Sequence, residues 1–181
     1  MRRIIIMSVC VCLATVAVMA GTSVAKPGSA SAGKVSGLDK ESLKTSMEGD
    51  LFEIRGGKLA LSRSHTKVVR ALAQRLITDH TKAYNDAAKV AKKLGIDVET
   101  SPSPSEVWEL RVLTAFRGHA FDSWYTSLEV YDHRQDIQET TDEIQDGTNR
   151  DVVNDAKQDL PVLREHLRLS EHALAVVSKK K

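Results

Sequence analysis

The longest regular pattern in the sequence is a stripe of apolar residues, spaced three and four apart, that runs through residues 69–94. This spacing is typical of an amphipathic α-helix, whereas a half-buried strand would alternate apolar and polar residues. No alternating run follows residue 38, and aromatic residues, which strands favour, make up only 4% of the chain. The pattern predicts an all-α protein, and it places His80 on a face that should be apolar.

We predict four long helices, at about residues 38–62, 64–94, 120–145 and 149–177. The sequence Ser103-Pro104-Ser105-Glu106 is typical of a helix start and predicts a short helix before Gly118. The first two long helices are joined tightly, as are the last two, but residues 95–119 separate the pairs. We therefore expect a ferritin-like four-helix bundle, with a long crossover containing the short helix between helices two and three. An up-down-up-down bundle with an additional surface helix is the alternative.

The N-terminus has the pattern of a secretory signal. Arg2 and Arg3 precede an apolar run over residues 4–20, and Ser23-Val24-Ala25 then offers small residues to a signal peptidase. We predict a signal peptide over residues 1–25, a flexible leader over residues 26–37, and a bundle domain over residues 38–178. An uncleaved membrane anchor is the alternative, although the run is short for a span of ~20 residues.

Charge and cysteine content narrow the class of protein further. Cys10 and Cys12 both lie in the signal segment, so the mature chain would contain no cysteine and no disulfide. Removing Arg2 and Arg3 takes the 26 basic residues to 24, which equals the 24 acidic residues. This balance argues against nucleic acid as a partner. We expect an exported protein of the periplasm or cell envelope.

Polar residues occupy the expected packing face of every long helix. An unpaired carboxylate or imidazole is costly in a protein core, so such groups must pair or bind something. Carboxylate and imidazole ligands suit iron, manganese or zinc. The pattern predicts a metal site whose candidate ligands are Glu53, His80, Glu129, His133 and His166. A buried hydrogen-bond network that only fixes the register of the helices is the alternative.

Helical rise indicates which of these groups share a level in the first hairpin. At ~1.5 Å per residue, Glu53 and His80 differ in height by about 9 Å, so Asp50 is expected nearer to His80. Each inward histidine also follows an acid, which points about 100° away on a helix. These acids are expected to face solvent or to orient neighbouring groups, and they are Asp79, Asp132 and Glu165.

In the second hairpin, the same counting places Glu129, rather than His133, level with His166. The usual di-iron bundle site takes Glu-x-x-His from two helices, but the residues three before the histidines are apolar here. The sequence shows no phosphate-binding loop, no CxxC pair and no nucleophile elbow, so it identifies no catalytic residue. Trp124 and Tyr125 are expected to be core aromatics.

Four stretches, "FEIRGGKLAL", "VVRALAQRLITDHTKA", "AFDSWYTSLEVYDH" and "DLPVLREHL", resemble the bacterial family known as domain of unknown function 4142. The resemblance covers residues 43–177, and its marks are Glu53, Asp79-His80, Phe121-Asp122 with Tyr125, Asp132-His133, and Leu160-Pro161 with His166. It implies an exported protein with a ferritin-like fold, sometimes labelled an outer-membrane protein, and it implies no particular reaction.

Two functional hypotheses follow. The first is a cell-envelope protein that binds iron, manganese or zinc through the inward-facing residues, with a redox or stress-protective role. The second is a non-catalytic structural or interaction protein of the periplasm or outer membrane that contains a buried polar network.

Overall fold

The computed structural model describes residues 33–179, and these residues form five α-helices and no strand. The helices are α1 (Gly37–Arg63), α2 (Lys67–Leu94), α3 (Pro104–Leu113), α4 (Gly118–Asp146) and α5 (Arg150–Ser178). The predicted all-α helical bundle is confirmed. The signal segment and residues 26–32 of the predicted leader lie outside the described residues. Within the described part, no helix is both long and apolar enough to cross a membrane.

The four long helices pack as two hairpins. Helix α1 packs along α2, and α4 packs along α5. Between the hairpins, the main contacts join α1 to α4 and α2 to α5. Helix α4 therefore lies beside α1 and diagonally from α2, which is the arrangement that a crossover connection produces. The connection over residues 95–117 contains α3, which packs against both α1 and α4.

Local sequence signals determine several helix ends. Ser103 and Glu106 form the expected capping box: the Glu106 amide donates to the Ser103 hydroxyl at 3.3 Å, and the Ser103 amide donates to the Glu106 carboxylate at 2.6 Å. Gly95 ends α2 with φ of +69°, a conformation that disfavours other residues. Ser36 caps α1, so the last residues of the predicted leader join the helical domain.

The interior contains two apolar clusters with a polar layer between them. The first includes Leu72, Leu76, Phe121 and Tyr125, and the second includes Leu43, Met47, Ala87, Ala91 and Val152. This layer receives buried carboxylates and imidazoles from every long helix, and its members are Asp50, Glu53, His80, Glu129, His133 and His166. The apolar clusters on both sides hold the four backbones in place around the polar layer.

Tyr125 is fully buried, as expected, but the prediction for Trp124 is wrong. Its side chain is 54% exposed and stacks on Phe116, with ring centroids 5.2 Å apart. Adjacent helical residues point about 100° apart, so the two aromatic rings cannot face the same core.

Candidate metal centre

Three imidazoles from three helices meet in the polar layer. His80 of α2, His133 of α4 and His166 of α5 are all buried. Their ring centroids are 5.6 Å apart for His80 and His133, 5.0 Å for His80 and His166, and 5.2 Å for His133 and His166. One nitrogen from each ring lies within 4.8 Å of the other two. This spacing brings the three nitrogens within reach of a single ion.

One nitrogen of each ring is held by a hydrogen-bond acceptor. Nδ1 of His80 lies 2.7 Å from the Asp50 carboxylate, and Nε2 of His166 lies 2.9 Å from the Asp79 carboxylate. Nδ1 of His133 lies 2.8 Å from the backbone carbonyl oxygen of Glu129. A carbonyl or an ionised carboxylate can only accept, so Nδ1 of His133 and Nε2 of His166 carry the proton and donate. Burial raises the pKa of Asp50 well above its usual value, so Asp50 and Nδ1 of His80 share one proton in their hydrogen bond.

The opposite nitrogen of each ring is buried and has no hydrogen-bond partner in the described part of the chain. These atoms are Nε2 of His80, Nε2 of His133 and Nδ1 of His166. Nε2 of His133 and Nδ1 of His166 therefore present lone pairs, and Nε2 of His80 does so when the proton shared with Asp50 is on Nδ1. A buried acceptor without a partner costs about 1–3 kcal/mol. Three buried imidazoles within ligand distance of one another, each with an unpartnered nitrogen, form an arrangement that a cation relieves, so the residues fit a metal ion.

Burial also keeps these rings in the neutral form that binds metals. It lowers the pKa of His80 to about 4. Burial, with the neighbouring His80, lowers the pKa of His166 to about 4. The pKa of His133 falls well below its usual value for the same reason, with further contributions from His80 and His166. At neutral pH all three are therefore uncharged and available as ligands.

A small cavity of about 60 Å³ adjoins His80 and His166. Its walls include Asp50, Asp136 and Asp159. Burial raises the pKa of Asp159 to about 6, so this carboxyl group can exchange a proton near neutral pH. The cavity has room for a water molecule, and its three carboxyl groups offer the polar partners that a bound water needs.

A second group of buried side chains shares His133. Oε1 of Glu53 lies 3.7 Å from Nδ1 of His133, and Oε2 of Glu129 lies 3.9 Å from the same atom. Both oxygens of Glu53 and Oε2 of Glu129 lack hydrogen-bond partners among the described residues. Burial and the charge of Glu129 raise the pKa of Glu53 well above its usual value, and burial raises that of Glu129 to about 7. Without a cation, this pair retains a proton at neutral pH.

The structure brings all five predicted ligands into one polar layer and divides them into two groups that share His133. The expectation that Asp50 lies nearest His80 is confirmed by their hydrogen bond. The expectation that Glu129 is level with His166 is wrong, because the His133 ring packs there instead. Side chains tilt toward the N-terminus of their helix. In an antiparallel pair this tilt moves the His133 and His166 rings toward each other.

The acids before the histidines differ in role. Asp79 orients a neighbour, as expected, but that neighbour is His166 on a different helix. Asp132 lines a second cavity, and the exposed Glu165 pairs with Arg168. The sequence signal for Asp79 is its position beside an inward histidine, and the partner became visible only once α2 and α5 were placed side by side.

Comparisons with known proteins agree with this architecture. No curated protein matches the chain. Among solved structures, a DUF305 fragment from Deinococcus radiodurans is similar at a TM-score of 0.69 and 15% sequence identity, covering 78% of this chain and 97% of that one. At this identity the likeness shows the fold alone. The family described as Domain of unknown function (DUF4142) matches residues 24–173. The chain therefore belongs to the DUF4142 family.

Proposed function

We propose that this chain is an exported protein of the cell envelope that binds one divalent transition-metal ion through His80, His133 and His166. Zinc is the ion that this ligand set suits best, because zinc takes three neutral imidazoles and leaves one coordination position open. The observation that carries the proposal is that three buried imidazoles lie within ligand distance of one another, and that each has one hydrogen-bonded nitrogen and one nitrogen without a partner.

The hydrogen bonds around the rings support this function. Asp50 and Asp79 hold His80 and His166 as carboxylates commonly hold metal-ligating histidines, orienting the ring and increasing its basicity. The bound ion would act as a Lewis acid beside the small cavity that adjoins His80 and His166. Glu53 and Glu129 face the protonated Nδ1 of His133, and so they are not placed to complete this set of three nitrogen ligands.

The rival function is a polar network that fixes helix register without binding anything. Such a network needs a donor for every acceptor, because half-satisfied buried groups destabilise a core. In the described part of the chain, the three free nitrogens have no donor. This deficit favours a cation over a purely structural network.

Zinc titration of protein purified without a histidine tag and stripped with a chelator tests the proposal. We expect one zinc per chain and a rise in thermal stability, worth about 2.7 kcal/mol at a hundredfold excess over Kd. His166→Gln should lower zinc affinity by about 100-fold, since one of three protein ligands is removed. His172→Gln is the matched control, because it removes an exposed histidine from the same helix.

The opposite result would support the register network. In that case the wild type would bind no stoichiometric zinc, and His80→Leu would fold at least as stably as the wild type, because apolar packing can replace a satisfied network.

Export is supported by the signal pattern over residues 1–25. Fractionation of cells that express the full chain should place it outside the cytoplasm, with a size that corresponds to cleavage near Ala25. Recovery of the uncleaved chain in the cytoplasm would contradict this part of the proposal.

A further inference from the structure

A second cavity, of about 240 Å³, lies between α1, α4 and the crossover helix α3. Seven of its lining residues carry a carboxyl group, and none of its lining residues is Lys, Arg or His. The crossover contributes Glu106 and Glu109, so α3 forms one wall. Burial raises the pKa of Asp132 to about 9 and that of Asp136 well above its usual value, so these carboxyl groups hold protons that a bound cation would displace.

Glu53 is the most deeply buried carboxylate that lines this cavity. Its side chain is 1% exposed, and neither oxygen has a hydrogen-bond partner in the described residues. Glu129 lies beside it, also buried and with one unpartnered oxygen. An oxygen of each lies within 4.8 Å of the other, so one ion can reach both. Asp132 adds a fourth unpartnered oxygen from the cavity wall.

The ligands available in this cavity are oxygens. His133 is adjacent, but its Nδ1 faces the two glutamates and already donates to the Glu129 carbonyl oxygen at 2.8 Å. A protonated nitrogen cannot bind a metal. Carboxylates supplemented by water suit manganese, magnesium or calcium, whereas imidazoles suit zinc or copper. The two cavities therefore present different ligand chemistry to a cation.

We propose that Glu53 and Glu129 bind a second cation, a hard divalent ion of the manganese type, at the buried end of this acidic cavity. The remaining carboxylates of the cavity attract cations from solution toward that end. This site adjoins His133 but uses none of the unpartnered imidazole nitrogens, so we expect it to bind its cation with or without zinc at the three histidines. Helix α3 of the crossover would then form one wall of an ion-binding cavity.

Titration with Mn²⁺, followed by the electron paramagnetic resonance signal of the free ion, tests this site in both zinc-free and zinc-loaded protein. The wild type should bind one Mn²⁺ per chain in both forms. Glu53→Gln should weaken Mn²⁺ binding by about tenfold or more, because it removes a charged ligand. Glu109→Gln, which removes the same charge from the cavity wall, should change affinity by less than about twofold.

Three results would overturn the inference. They are no Mn²⁺ binding by the wild type at millimolar concentration, equal losses in Glu53→Gln and Glu109→Gln, and Mn²⁺ binding abolished by His166→Gln but not by Glu53→Gln. Unchanged zinc affinity of Glu53→Gln shows that this variant is folded. If the wild type binds Mn²⁺ but no zinc, the proposed function fails while this site stands.

Discussion

Asp79 illustrates how a residue outside the three-histidine cluster can orient one of its rings. It lies on α2 and accepts a hydrogen bond from Nε2 of His166 on α5. This bond leaves Nδ1 of His166 as the free nitrogen, facing the other two imidazoles. The carboxylate, assisted by Arg75, has a pKa below its usual value because of its hydrogen bonds to His166 and Arg75, which outweigh the opposing effect of burial. It therefore stays ionised and keeps the ring in one tautomer.

We predict that Asp79→Asn lowers zinc affinity by about 10- to 100-fold, the usual effect of removing a carboxylate behind a ligating histidine. Competition with a chelating dye measures the change. Asp86→Asn is the matched control, because Asp86 lies on the same helix and pairs with Lys82 and Lys89 at the surface. Equal losses in the two variants would indicate a general charge effect and contradict the orienting role of Asp79.

At the scale of elements, the packing of α1 on α2 includes a close contact between Gly57 and the backbone of α2. A Cβ at Gly57 would lie 2.7 Å from Cγ1 of Ile77 and 2.9 Å from the backbone oxygen of Ala73. The Ala73 oxygen belongs to a helix and cannot move independently. At Gly49, in the same helix, the nearest atom to a Cβ would be Oε1 of Glu106, at 3.9 Å.

We predict that Gly57→Ala destabilises the zinc-free protein by about 2 kcal/mol, because the helices must separate to admit the methyl group. Gly49→Ala should instead stabilise it by about 0.5–1 kcal/mol, the gain expected when alanine replaces an interior helical glycine. Urea denaturation measures both free energies of unfolding. Similar values for the two variants would show that α1 and α2 are not in tight contact at Gly57.

The turn between α4 and α5 is held to α1 by a buried carboxylate. Asp39 of α1 accepts hydrogen bonds from the amides of Thr148 and Asn149, each at 2.9 Å. Glu143 is buried beside this carboxylate. Burial and the charge of Asp39 raise the pKa of Glu143 to about 7. The folded protein therefore holds a proton on Glu143 that the unfolded chain releases near pH 4.5.

The folded protein binds the Glu143 proton more tightly than the unfolded chain does. The stability that this proton contributes is therefore lost as pH increases from about 4.5 to 7. Glu143→Gln removes this loss, so we predict a variant of similar stability at pH 4.5 that is more stable than the wild type by about 2–3 kcal/mol at pH 7.5. Denaturation at both pH values measures the difference. Asp142→Asn, at an exposed position on the same helix, should show no such pH-dependent gain. A gain that is equal at the two pH values would contradict the assignment.

At the scale of the whole molecule, sequence periodicity predicted the helices and the inward direction of His80, because both depend on local spacing. Counting helical rise also predicted the pairing of Asp50 with His80, since a tight turn fixes the register of their two helices. The pairing of Asp79 with His166 was beyond such counting. It depends on which hairpins lie side by side, and that information is spread over all the packing faces.

Backbone counting also chose Glu129 over His133 as the neighbour of His166. That counting compared the heights of the Cα atoms along the bundle and omitted the tilt of the side chains. The tilt shifts a side chain by about as much as the height difference that the counting had to resolve. The exposure of Trp124 has a similar origin, since an aromatic run of neighbouring residues cannot turn every ring inward. Sequence alone thus identified the buried carboxylates and imidazoles and their shared layer, but not their grouping into two clusters that meet at His133.

The central claim is that the free nitrogens of His80, His133 and His166 share one ion. Crystals of zinc-loaded protein, with diffraction measured on both sides of the zinc absorption edge, test it most directly. We predict a single strong anomalous peak per chain, about 2.0–2.1 Å from Nε2 of His80, Nε2 of His133 and Nδ1 of His166. Zinc confined to surface histidines, or three imidazoles that keep their spacing with no anomalous peak between them, would contradict it.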